Sequence, residues 1–332
     1  MSDSGTDLLP LPVDASCVEL HCLDGGSFIA AASKIHAGAS DDTFRMYNWA
    51  FCIRDIQTGR QVMWDLGLSG RTENYTPWVQ KYMLLQTEAV GPRISICEQL
   101  AKRNVRGNEI DSIDTYCYIS HAHWDHCRPI DTEFPAACAF FGPGTAEHCS
   151  PGHLASEDAK ETVQWDGRYF DPLRKTQNWK EFSGPWVRFG AFEKAMDFFG
   201  NGSFWIIQAP GHMPGNFGLF LEAIVVTRGK PLSVISWTRD AKFLSRRIFD
   251  GLEQFAVWET PDGCSASLQA DIPVAKDTIK RIRLMEKELG CHVAFAHDTE
   301  WMKKGLNQTL MAMLDSDMKR ATKERLPFQA VV

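Results

Sequence analysis

The sequence predicts an α/β protein in which two mixed β-sheets pack face to face and are flanked by helices. Short β-rich runs and helical runs alternate in two successive halves of the chain, as two layers of sheet covered by helices require. Composition agrees, because 44% hydrophobic and 23% charged residues are globular proportions that exclude a disordered or fibrous chain. No repeat of 20–50 residues and no low-complexity tract interrupts the 332 residues. That length suits one core of about 200–250 residues with additions.

The elements follow in order. Residues 1–16, rich in prolines and acids, are expected as a flexible N-terminal tail. Residues 17–23 read as a strand ended by Asp24-Gly25-Gly26. Residues 45–54 and 60–66 are two β-rich runs joined at Gly59, which supplies the positive φ of a hairpin. The second run ends in Trp64-Asp65-Leu66-Gly67. Thr76-Pro77 opens a helical stretch, with Pro in the first turn. Residues 95–105 place Ile96, Leu100 and Val105 near one helical face, with Gly107 as the stop. Residues 113–120 form a β-rich run that leads directly into His-Ala-His-Trp-Asp-His.

Residues 142–195 carry Gly, Pro, Trp and Asp without sustained periodicity, which predicts a long insertion or lid. Residues 198–205 look like a hairpin feeding Ala209-Pro210-Gly211-His212. Residues 217–227 and 232–237 are expected strands, residues 241–255 and 272–289 expected helices, and Gly290 closes the second helix. Residues 291–296 form a last strand ending at His297, and residues 310–326 look helical.

Charge and cysteine usage narrow the function. With 35 basic against 42 acidic side chains, the net charge of −7 argues against nucleic acid as a partner, because phosphate binding needs a basic stripe. The N-terminus carries acids where a secretory signal carries basic residues, and no apolar run approaches the roughly 18 residues of a membrane helix. The ten cysteines form no CxxC and many lie in apolar runs, as with Cys52, Cys117, Cys138 and Cys291, which fits buried free thiols in a reducing cell. A cytoplasmic protein handling a small molecule is the expectation, with no membrane partner and a homodimer left open.

The chemistry concentrates in His121-Ala122-His123-Trp124-Asp125-His126. Side chains alternate along an extended segment, so His121 and His123 point to one side. Asp125 and His126 come after the turn and can face a second centre. Two imidazoles for one ion and a carboxylate plus imidazole for the next form a borderline-soft N/O donor set that suits zinc. Without a metal, burying three imidazoles with a carboxylate would cost more than a fold gains.

This HxHxDH motif resembles the metallo-β-lactamase superfamily, an αββα sandwich with its metal site at one edge between the sheets. The resemblance extends along residues 17–300. Gly211-His212, within Ala-Pro-Gly-His-Met-Pro-Gly, resembles the family's GH(T/S)PG turn and implies that His212 completes the first site. Asp240 matches the bridging aspartate, His297 the terminal histidine of the second site, and Asp65 the DxG aspartate that supports the ligands from behind. The implied metal ligands are His121, His123, Asp125, His126, His212, Asp240 and His297, with Asp125 also catalytic. The implied organisation is a catalytic domain over residues 17–305 with an insertion at about 142–195, followed by a C-terminal helix over 306–332.

An aspartate at the bridging position is similar to the N-acyl-homoserine-lactone lactonase-like branch rather than to true β-lactamases. That branch usually has a tyrosine three residues further on, where this chain has Phe243, and a glycine before the aspartate, where it has Arg239. The implied activity is a dinuclear zinc-dependent hydrolase, with two Zn2+ per chain and iron or manganese as alternatives. It would open a small cyclic ester or cyclic amide by attack of a hydroxide bridging the metals. A thioesterase or glyoxalase II-like hydrolase is the alternative; a mononuclear iron enzyme and a metal-binding scaffold without turnover are further ones. Eleven tryptophans and twenty phenylalanines are mostly core, but Phe28, Trp49, Trp78, Tyr82, Trp124 and Phe243 lie in segments that could border a substrate pocket.

Overall fold

The computed structural model describes residues 8–12, 16–103, 105, 116–153, 164–221, 223–227, 230–231, 255–260, 263–291 and 297. The strand expected over 232–237, residues 241–254 of the next helix, residues 292–296 of the last strand and the C-terminal helix over 306–332 lie outside the described residues.

Alternation of side chains builds the first sheet. Strands β1 (Val18–Ala31), β2 (Thr43–Asp55), β3 (Gln61–Trp64) and β4 (Tyr116–Tyr118) split their residues between two buried faces. Val18, Leu20, Tyr47, Trp49, Ile53, Val62, Trp64 and Tyr118 face one core, whereas Ala50, Cys52, Met63 and Cys117 face another. Burial on both faces explains why these runs read as almost continuously apolar. The sheet continues through β5 (Cys138–Phe141) and β6 (Trp179–Glu181) at one side, and through β11 (Ala223–Thr227) and β12 (Lys230–Pro231) at the other. The β2–β3 hairpin forms as expected, with Phe51 opposite Trp64 and Gly59 at φ 73°.

The second sheet is antiparallel, in the order β10 (Phe217–Leu221), β9 (Phe204–Gln208), β8 (Phe192–Asp197), β7 (Val187–Phe189). Met196, Phe204, Ile206, Phe217 and Leu221 meet the first sheet across the sandwich core. Its outer face, with Phe189, Phe192 and Phe220, packs on Met285 of the helix Ile272–Leu289. The outer face of the first sheet is covered by the helix Ile96–Ala101, which starts at a Ser95/Glu98 capping box. Layers therefore run helix, sheet, sheet, helix.

Three segments differ from their sequence signals. Residues 142–195, expected as an insertion, supply β6, β7 and the start of β8, so they contribute strands to both sheets. Residues 217–227, expected as one strand, are β10 in the second sheet and β11 in the first. The run is apolar with only Glu222 inside it, so hydrophobicity alone carries no mark of the crossing. Residues 8–12, inside the expected tail, lie against the second sheet: Leu9 N donates to Gly190 O at 3.0 Å, and Leu8 and Leu11 join the cluster around Phe189.

The site is positioned by strand ends. β3, β4 and β5 are mutually parallel, with Trp64 opposite Tyr118 and Tyr118 opposite Phe140, so their C-terminal ends share one edge. Asp65 and Ser120 follow two of those ends. Gly67 has φ 60° and passes directly against the Gly25 backbone, an approach that leaves no room for a Cβ.

Candidate metal centre

After β4, the chain turns tightly. His126 N and Cys127 N both donate to His123 O, at 3.0 and 2.8 Å, which curls residues 123–126 so that Asp125 and His126 depart from the side that His121 and His123 occupy. His212 arrives from the second sheet, on the turn after β9. That turn is held by the start of the helix Ile272–Leu289: Asp271 N donates to Gly211 O at 2.9 Å, Ala270 N to His212 O at 3.0 Å, and Thr278 Oγ1 to Pro210 O at 2.7 Å. Gly211, at φ 121°, lies against the Ala275 backbone so closely that a side chain would collide with it.

Two clusters result. His121, His123 and His212 bring one ligand atom each to within 4.8 Å of one another, as do Asp125, His126 and His297. In the first, His212 Nε2 lies 3.0 Å from His123 Nδ1. In the second, Asp125 Oδ2 lies 3.3 Å from His126 Nε2 and 3.2 Å from His297 Nε2, and those two nitrogens are 3.3 Å apart. The His121 and His126 ring centroids are 4.3 Å apart, so the clusters adjoin.

The histidines are oriented from behind. His297 Nδ1 lies 3.0 Å from the Tyr47 carbonyl, which can only accept, so this nitrogen carries the proton and Nε2 presents its lone pair to the cluster. His126 Nδ1 donates to Asp65 Oδ2 at 2.8 Å, which aims Nε2 at the cluster. Asp65 also accepts from Ser120 N at 2.7 Å and from Ser120 Oγ at 2.8 Å, which leaves Ser120 Oγ to accept from His121 Nδ1 at 3.0 Å. Asp65 sits at φ 54°, unusual for a non-glycine residue, and is 2% exposed. Three imidazoles with one nitrogen anchored and the other aimed inward are a good fit for divalent metal, and outer partners of this kind set tautomer and basicity.

Electrostatics sort the two clusters. Burial, reinforced by neighbouring imidazoles, drives His121 well below its ordinary value, His123 to about 3 and His212 to about 4. All three are neutral lone-pair donors at neutral pH. Burial lowers His126 too, but the Asp125 and Asp65 carboxylates outweigh it and push His126 up to about 10. Burial opposes ionisation of Asp125, yet His126 and His297 hold its carboxyl well below the usual range. The second cluster is thus a carboxylate field that attracts a cation: without metal a proton stays on His126 at neutral pH, and a metal ion would take that proton's place at Nε2.

Asp240 and Phe243 lie outside the described residues. Of the residues expected at a substrate pocket, Phe28 and Trp124 are at the second cluster: the Phe28 ring is 5.6 Å from His297 and 5.1 Å from Trp124. Trp49 is not there. It is 4% exposed in the sandwich core, because period-two alternation on β2 puts it on the same face as Tyr47 and Ile53. Trp78 and Tyr82 pair with each other at 5.5 Å. Ser120 and Trp165, whose ring stacks on His123 at 5.7 Å, were not expected. Adjacency to the motif could have flagged Ser120; Trp165 had no local signal.

No protein-family model matches the chain. By sequence it is similar to three fungal proteins. A cytochrome P450 monooxygenase, mpaDE', of Penicillium brevicompactum is 24% identical over 87% of this chain and 34% of its own length. Metallo-hydrolase mfmC of Annulohypoxylon moriforme is 28% identical over 63% of this chain and 53% of its own. Gamma-lactamase FDB1 of Fusarium pseudograminearum is 31% identical over 67% of this chain and 52% of its own. The chain therefore spans 34% of the first relative and about half of the other two. Among solved structures, a B. thuringiensis AiiA variant with N-decanoyl-L-homoserine at its active site superposes with TM-score 0.54 at 16% identity, over 87% of this chain and 96% of that one. The architecture is the metallo-β-lactamase fold, and the resemblance carried by the histidine motif holds at the level of structure. Among the described residues no helix is long and apolar enough to cross a membrane.

Proposed function

We propose that this chain is a metal-dependent hydrolase that opens a small cyclic ester or cyclic amide, with two zinc ions held by the adjoining clusters. The observation that carries the proposal is the convergence of His121, His123 and His212 beside Asp125, His126 and His297, with His126 and His297 presenting Nε2 inward. Relatives named metallo-hydrolase and gamma-lactamase support the same chemistry. Divalent ions bound there would supply Lewis acidity and bring the pKa of water toward neutrality.

The chain's own groups do the rest. Asp125 is ionised and uses Oδ2 against His126 and His297, so its carboxylate can orient a water and accept its proton. Phe28, with Trp124 packed against it, offers an apolar surface beside His297 that suits an uncharged ring. Six of the ten cysteines are buried, which supports a reducing, cytoplasmic setting.

A turnover screen on γ-lactones, γ-lactams and acyl thioesters, with the purified and metal-reconstituted protein, tests the proposal. Ring opening faster than thioester cleavage is expected. Thioester cleavage alone would transfer the site to the thioesterase reading.

A further inference from the structure

Asn48 lies on β2 and is 1% exposed. Its neighbour Tyr47 sends its side chain into the sandwich core, so Asn48 points to the opposite face, which Ala50 and Cys52 otherwise keep apolar. A buried amide on such a face needs a partner. That partner is in the motif turn: Asn48 Nδ2 donates to the Asp125 carbonyl at 3.0 Å, across 77 positions of sequence. The carbonyl can only accept, which fixes the amide with its NH2 toward Asp125 and its Oδ1 turned away, buried and without a partner among the described residues.

Two consecutive residues of one strand therefore serve the same cluster. The Tyr47 carbonyl accepts a hydrogen bond from His297 Nδ1 at 3.0 Å, and the Asn48 amide donates one to the Asp125 carbonyl. The strand cannot drift there, because the Gly25 backbone packs on Asn48 so tightly that a Cβ on Gly25 would lie 2.8 Å from Asn48 O. The first cluster is supported elsewhere: His121 rests on Ser120, and His212 on the Ala270–Asp271 backbone and the helix behind it. No hydrogen bond of Asn48 among the described residues reaches that cluster.

We infer that Asn48 is a positioning residue for the second metal alone: by holding the Asp125 main chain it sets the geometry in which Asp125, His126 and His297 bind their ion. This rests on the dinuclear reading of the site. Asn48 acts through the Asp125 main chain, to which its side-chain donor is committed.

The test is metal stoichiometry of metal-stripped wild type and Asn48→Leu, equilibrated against a series of buffered zinc concentrations and read by elemental mass spectrometry. Thermal melting is followed in parallel. Leu keeps the volume and removes the donor. Wild type should take up two ions; Asn48→Leu should keep the first and bind the second roughly 10–100-fold more weakly, the range seen when an outer partner of a metal ligand is lost. Asn48→Ser, which retains a shorter donor, should fall between. Two ions bound as in wild type would overturn the inference, as would equal weakening of both, which is what a merely structural residue at this edge produces. If Asn48→Leu does not fold, Asn48→Ser is judged against the same outcomes. Wild type that never holds two ions would refute the dinuclear reading itself and the inference with it.

Discussion

In the proposed mechanism Asp125 combines two roles that pull on the same side chain. Its Oδ2 faces His126 and His297 at 3.3 and 3.2 Å, as a ligand does, while the ionised carboxylate is also the nearest base for a water at that cluster. Asp125→Asn preserves shape but turns an acceptor into a weaker, half-donor group. We expect kcat to fall about 100-fold or more with the circular dichroism spectrum almost unchanged. Near wild-type turnover would remove Asp125 from the mechanism. Titration of the metal-stripped protein gives a second prediction. His121, His123 and His212 have folded values pushed below the ordinary 6.5 by burial, to about 3 for His123 and about 4 for His212. Below pH 6.5 the unfolded chain takes protons at these positions that the folded chain refuses, so stability falls as pH drops toward 4. His126, raised to about 10, acts in the opposite sense, but its contribution is fully present below 6.5 and is lost only as pH rises through about 10. Melting temperatures of the metal-stripped protein should therefore decline from pH 7 to pH 4; a flat profile would contradict the burial of neutral imidazoles.

At the scale of elements, the turn that carries His212 and the helix Ile272–Leu289 act as one unit. The helix begins at Asp271, whose side chain caps Val274 N while its backbone N–H binds Gly211 O. Gly211→Ala forces a Cβ into the Ala275 backbone at a φ of 121°. The change should cost about 2 kcal/mol or more in chemical denaturation and displace His212 enough to weaken the first metal. Unchanged stability would mean that the helix can move away without consequence.

The helix itself was legible in the sequence as a helical run over residues 272–289 closed by Gly290. So was the β2–β3 hairpin, because alternation and Gly59 agree. The segment around 179–189 was not, since β6 and β7 are three residues each and too short for a period to show. Trp49 looked available for a pocket because a strand buried on both faces gives an aromatic residue no visible side. The candidate ligands were legible as four donors in six residues and two strand-end histidines. Their supports at Tyr47 and Asn48 were not, because those contacts span 250 and 77 positions and leave no local pattern.

Over the whole molecule, the sandwich places strand ends from two sheets at one edge, and the candidate metal centre lies where those ends meet. The first sheet contributes Asp65 and the histidine motif through parallel β3 and β4, and the second contributes His212 after β9. Neither sheet alone assembles the first cluster, so bound metal should tie the layers together and stabilise the fold by mass action. The measurement that bears most directly on the central claim is metal content by elemental mass spectrometry, paired with γ-lactone and γ-lactam turnover before and after chelation. Two zinc ions per chain are predicted, with ring opening abolished by the chelator and restored by zinc. One ion or none at saturating zinc, or ring opening that survives complete metal removal, would contradict it.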